Sequence, residues 1–225
     1  MSFSILSVDL PEAKNDFYAN TIARKIESAT GKADFDNFRY LRWSTVRDHE
    51  FVWDKTQKKV IVHFSDYKVL LHLDHLDSSR VFDEEHLKDN KKEAIIQKAY
   101  SHFCNDSFWL IAPYKLFDPG VERKIVVDGV DKLLLITYAS GGVTPGDSYL
   151  WYLDNNYLPT SIQMWTAKVP LNGIRFSWEN YKTISGEAKI AQTHRFGPLN
   201  IYIENLEAGN TMQDLKLDKD PFLSF

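Results

Sequence analysis

From Tyr40 to His75 the chain reads YLRWSTVRDHEFVWDKTQKKVIVHFSDYKVLLHLDH. Apolar and polar residues alternate in short runs divided by turn-forming clusters, and a period of two is the signature of strands. The runs 38–46, 49–53, 59–64 and 69–73 are therefore predicted as antiparallel strands, with "DKTQK" and "SDY" as turns. Before them, residues 10–30 predict a helix. Asp9 is its N-cap, Pro11 sits at an allowed early position, Phe17, Ile22, Ile26 and Ala29 form its stripe, and Gly31 stops it. After the meander, residues 83–104 predict a helical insertion: a short helix at 84–87 and a longer one at 90–103. Ala94, Ile95, Ala99 and His102 or Phe103 form the apolar side of the longer helix.

The chain then returns to strand patterns at 108–112, 123–127, 132–138, 149–153, 160–166, 174–181, 188–195 and 200–204. "DGVD" and "LDNN" are tight turns whose residues tolerate positive φ. No Gly/Ser linker and no internal repeat divides the sequence. The expectation is an α+β, mostly β chain with a single domain over 1–225 and roughly eleven strands in one curved antiparallel sheet. The tail 213–225 is polar and then apolar, and reads as flexible or docked at its end.

The parity of the meander is unusual. With "DKTQK" as the first loop, Trp53 faces Lys59, Phe51 faces Ile61 and His49 faces His63. With a turn at Asp66–Tyr67, His63 pairs with Leu70 and Ile61 with His72. One face then carries Val52, Val60, Val62, Phe64, Val69, Leu71 and Leu73. The other carries His49, Phe51, Trp53, Ile61, His63, Leu70 and His72. A sheet wetted on one side would normally show Lys, Glu, Thr and Ser there. A strongly curved sheet could put the first face in the core and leave the second partly covered, or the reverse; parity shows two unlike faces and does not say which is concave.

Composition narrows the function classes. The 225 residues carry a net charge of -4, which argues against nucleic acid as a partner. The basic run "KDNKKEAIIQK" is flanked by acids and reads as a solvated helix face. Aromatic residues make up 14 %, with 6 Trp, which suits either a large sheet or a ring-lined pocket. Cys104 stands alone, so an intrachain disulfide and a cysteine-based metal cluster are both excluded. "MSFSILSVDLPEAKNDF" has neither a basic leader nor a long apolar core, and no stretch has the ~20 apolar residues of a spanning helix. The predicted address is the cell envelope if a leader has been removed, and the cytoplasm otherwise.

Candidate chemistry is sparse. His49, His63 and His72 share a face in the register above, but a histidine on a mixed sheet face is ordinarily a polar-tipped aromatic. No metal site is assigned. "SHFCNDS" sets His102 and Asp106 two residues on either side of Cys104, and in a helix such neighbours point apart. The glycine-dense "SGGVTPGDSY" lacks the lysine and the following helix of a phosphate loop, and reads as a rim connection that Asp147 ties down. Asp54, Asp106, Asp118, Asp147 and Asp154 all stand beside expected turns. No catalytic residue and no cofactor is assigned. Trp43, Trp53, Trp109 and Trp151 are the candidates for lining a ligand site.

Four stretches carry a resemblance: "LRWSTVRDHEFVWDKTQKKV", "NDSFWLIAPYKLFDPGV", "GGVTPGDSYLWYLD" and "HRFGPLNIYIENL". With the order helix, meander, helical insertion and further strands, they resemble a bacterial family of unassigned function with a lipoprotein-localisation (LolA/LolB-like) fold. That resemblance implies a half-open antiparallel barrel wrapped around two or three helices, an apolar cavity, acyl-chain ligands in the envelope, and no cofactor. The expected function is a non-enzymatic binding or carrier protein for a hydrophobic or lipid-like ligand in the cell envelope. One alternative is a protein-interaction or envelope-structural module using the same aromatics. The other is a hydrolytic enzyme built on a His/Asp site.

Overall fold

A computed structural model of the chain describes residues 7–82, 84–140, 144–167 and 172–224. Among the described residues the order is α1 (Phe17–Thr30), α2 (Lys32–Asn37), β1 (Tyr40–Thr45), β2 (His49–Asp54), β3 (Lys59–Phe64), β4 (Tyr67–His72), β5 (Arg80–Val81) and α3 (Asp89–Ile111). There follow β6 (Val121–Asp128), β7 (Asp131–Tyr138), β8 (Ser148–Leu153), β9 (Pro159–Trp165), β10 (Ile174–Ser177), β11 (Glu179–Ser185), β12 (Ala188–Phe196) and β13 (Leu199–Gly209). The mostly β composition with antiparallel pairing is as expected. The single curved sheet is not: the strands form two open sheets, neither closed nor strongly curled. One runs β11-β12-β13-β1-β2-β3-β4-β5 and the other β10-β9-β8-β7-β6. Part of the reason lies at Trp178. The apparent strand 174–181 breaks there, so β10 stays with β9 while β11 joins the larger sheet.

Packing divides the chain into two compact units. The first comprises Met1–Lys32, Ile111–Tyr181 and Ala191–Asn200. Helix α1 starts at Phe17, later than predicted, because Asp16 is the N-cap and its side chain accepts from the Tyr18 amide at 2.9 Å. Its buried stripe is Ala19, Ala23, Ile26 and Thr30, and Phe17 is exposed. Gly31 closes it at φ 78, the left-handed conformation that glycine adopts without a Cβ penalty. The helix packs on β6 and β7. The sheet here has apolar residues on both faces. Ile125, Leu134, Trp151 and Ile162 lie in register across one, and Val126, Leu135, Leu150 and Trp165 cluster on the other with Ala13. The Trp165 indole donates to the Val8 carbonyl, which ties the N-terminal segment to that second face.

The second unit comprises Ala33–Leu110, Lys182–Ile190 and Ile201–Phe225. The loop between β2 and β3 sets its register. Asp54 pairs with Lys59, its carboxylate accepts from the Gln57 amide at 3.0 Å, and Arg39 grips the same carboxylate with a fork. The loop thus has four residues, not five, and Lys58 closes it with φ 52. A one-residue difference moves every side chain of a strand to the opposite face. His49, Phe51 and Trp53 therefore join Val60, Val62, Phe64, Val69 and Leu71 on one face, against prediction. His63 and His72 lie on the other.

Both faces are covered, which explains the doubly apolar pattern. Helix α3 lies on the first, through Phe103, whose ring is 5.5 Å from Trp53 and 6.2 Å from Trp43. The C-terminal segment covers the second. Leu215 is completely buried among Tyr40, Val52, Ile61 and Leu70, with Met212, Leu217 and Phe222 packed around it. Arg42 donates to the Leu215 carbonyl and fixes the segment. Residues 108–112, predicted as a strand, continue α3 to Ile111, because Ala99, Phe103, Asp106 and Leu110 keep the helical period.

Candidate functional site

The chemistry of the second unit gathers where α3 crosses β1 and β2. Thr45 and His49 are direct cross-strand partners, so both project towards the helix. On α3, His102 and Asp106 are four residues apart and share the face that looks back at them. The Nδ1 of His49 lies 2.7 Å from Asp106 Oδ2, and both side chains are about a tenth exposed (11 % each). A carboxylate oxygen accepts, so the ring nitrogen is the donor. The His49 and His102 rings sit 4.0 Å apart, with the Phe64 ring 5.0 Å from His102. Burial and the neighbouring His49, with Lys98 and Arg47 adding positive charge, hold His102 below the ordinary imidazole range against the opposing pull of Asp106.

An aromatic layer continues from this polar corner. Trp43 stacks on Phe51 with centroids 4.7 Å apart and planes at 12°, and Phe103 joins both to Trp53. Four polar atoms in this one neighbourhood are buried without a hydrogen-bond partner among the described residues: Trp43 Nε1, Thr45 Oγ1, Trp53 Nε1 and His102 Nε2. Buried polar groups are nearly always paired, so four orphans in one layer are unusual.

Of the tryptophans singled out from the sequence, Trp43 and Trp53 belong to this layer. Trp109 lies on α3, edge-on to Phe108 at 5.5 Å. Trp151 belongs to the first unit, fully buried beside Trp178. The three histidines expected to share a face do not, since His63 and His72 lie on the side covered by the C-terminal segment. Among the described residues no group of three or more His, Cys, Asp or Glu side chains is placed to hold a metal. Within them, no helix is long and apolar enough to cross a membrane.

The acidic candidates separate by environment. Asp154 accepts from the amides of Asn156 and Leu158 and shapes the "LDNN" turn. Asp147 accepts from the Ala167 amide at 3.0 Å and from the hydroxyls of Thr144 and Tyr149. Residues 141–143 of the glycine-dense stretch lie outside the described residues. Asp118 pairs with Lys115 and Asp54 with Arg39. Asp106 alone of the five meets a histidine. Its i,i+4 spacing from His102 was present in the sequence; the register that brings His49 to them was not readable there.

The class so defined is a mostly β chain of two open antiparallel sheets, with a His–His–Asp corner at the end of an aromatic layer. No family model matches the chain, and no curated protein matches it. Among solved structures it is similar to a DUF1329 family protein from Desulfovibrio piger, at 12 % identity and a TM-score of 0.40. That match covers 85 % of this chain and 92 % of the other.

Proposed function

We propose that the protein is a non-enzymatic carrier for a hydrophobic or lipid-like ligand, of the lipoprotein-localisation (LolA/LolB-like) kind, acting in the cell envelope. The observation that carries this reading is the aromatic layer between α3 and β1–β3, with its four unpartnered polar atoms. Small-molecule sites combine apolar and aromatic lining with a few well-placed polar groups, and this layer has that make-up. Trp43, Phe51, Trp53 and Phe103 supply the apolar lining; Trp43 and Phe51 are fully buried, so a ligand would enter by parting this packing, and the area it covers is worth about 25 cal/mol per Å². The indole and imidazole nitrogens supply orientation. The resemblance of the four sequence stretches supports an acyl chain as the ligand and the envelope as the address.

The test is native mass spectrometry of the protein as purified, together with uptake of the apolar dye N-phenylnaphthylamine. A co-purifying lipid mass, and saturable dye uptake that lipid reverses, are the expected results. A bare protein mass with no saturable uptake would remove the carrier reading. The 2.7 Å contact of His49 with Asp106 favours a second reading, a hydrolytic His/Asp site. Sustained turnover of p-nitrophenyl esters, abolished in His49→Gln, would establish that reading instead.

A further inference from the structure

Resting on that carrier reading, we propose that the ligand bears a carboxylate head group, held where Thr45, His49 and His102 meet at the polar end of the aromatic layer. Three observations support the choice. The first is donor supply. Thr45 Oγ1 and His102 Nε2 are buried and have no partner among the described residues, and each can donate a proton to an anionic oxygen. Thr45 is 7 % exposed, so its hydroxyl lies away from bulk water.

The second is proximity. Thr45 lies directly across the strand pair from His49, and the His49 ring is 4.0 Å from that of His102. Asp106 occupies Nδ1 of His49 and leaves Nε2 as the acceptor of a neutral ring, so the donors for a head group are Thr45 and His102. The floor of the corner is the Phe64 ring, which touches both imidazoles. An acyl chain leaving the corner would have to part the packing of Phe51 and Trp43, both fully buried.

The third is charge. The charged groups that act on His102 are Asp106, Arg47 and Lys98, together with His49. Lys98 leans over Phe64 at 5.5 Å from its ring, so its ammonium is directed at the same spot. Two permanent cations outweigh one carboxylate, and that carboxylate is already engaged by His49. Both cations are solvent-exposed, so they favour an anionic head group over an alcohol or an ester without requiring one. The protein's overall negative charge does not supply this local complement.

The experiment compares hexadecanoic acid, hexadecanol, methyl hexadecanoate and hexadecyl phosphate as displacers of bound N-phenylnaphthylamine from the full chain. A charge-assisted hydrogen bond predicts that the acid binds about tenfold more tightly than the alcohol or the ester. Thr45→Val and His102→Leu should erase that preference. Arg47→Gln, a surface change that does not disturb packing, should reduce it and keeps the test decisive if His102→Leu does not fold. Equal binding of acid, alcohol and ester would overturn the head-group assignment and leave the carrier reading standing. Tighter binding of the phosphate than of the acid would overturn the choice of carboxylate. Binding of none of the four would remove the carrier reading itself.

Discussion

The link between His49 and Asp106 is the most direct test of the corner's architecture, and a double-mutant cycle measures it. The perturbations are His49→Ala, Asp106→Ala and the pair together. In the native protein the two side chains meet at 2.7 Å and each is 11 % exposed, so solvent screens little of the interaction. Removing either partner leaves a buried polar group with nothing to bond, at about 3 kcal/mol. Removing both eliminates that penalty, so the double variant should lose about 4 kcal/mol rather than the additive ~6. The expected coupling is therefore about 2 kcal/mol, within the range of a charge-assisted hydrogen bond. For a chain of this length each single change should lower Tm by roughly 6–12 °C. Urea unfolding followed by tryptophan fluorescence is the assay, because Trp43 and Trp53 sit in the adjoining layer and report on this unit. Losses that simply add, with coupling under about 0.5 kcal/mol, would refute the claim that this contact clamps α3 to β2.

Two further outcomes follow from the same unit. His102 is held below its ordinary value of 6.5, so around that pH the unfolded chain binds more protons than the folded one. Its contribution to stability is complete above pH 6.5 and is lost as the pH falls through the folded value. Urea midpoints measured from about pH 7.5 to 5 should fall less steeply in His102→Gln than in the parent, and parallel curves would contradict this. Leu215→Ala should cost about 3 kcal/mol, since the side chain is fully buried against Tyr40, Val52, Ile61 and Leu70. Trypsin should then cut at Lys216 and Lys219, and unchanged resistance would show that the segment is held elsewhere.

The sequence made the meander, its turns and the helical insertion readable, because each rests on local periodicity and local turn chemistry. Register was not readable. The Asp54–Lys59 loop differs from the expected one by a single residue, and that difference exchanged the faces of His49, Phe51 and Trp53. Ordinarily the polar face of a sheet arbitrates between two registers. Here it could not, because α3 covers one face and the segment around Leu215 covers the other. The strand predicted at 108–112 failed for a related reason. "FWLIA" is rich in strand-favouring side chains, yet Phe103, Asp106 and Leu110 continue a helical stripe that tertiary packing rewards. The site was half visible. His102 and Asp106 have helical i,i+4 spacing, but reading them only as partners of Cys104 hid the partner supplied by a distant strand.

Helix α3 also shows why the corner is not accounted for by stability alone. Its sheet-facing stripe runs Ile95, Ala99, Phe103 and Leu110, and the turn between the last two is interrupted by Asp106 and Ser107, with His102 beside them. Thr45 and His49 interrupt the matching stripe of the sheet. A buried ionic pair is often no more stabilising than apolar residues of the same volume. Leucine at 102 and 106 against valine at 45 would keep the packing and leave no unpartnered donors. Stability alone therefore does not explain the unpartnered donors at this corner, and they are the groups that the proposed head-group site would use.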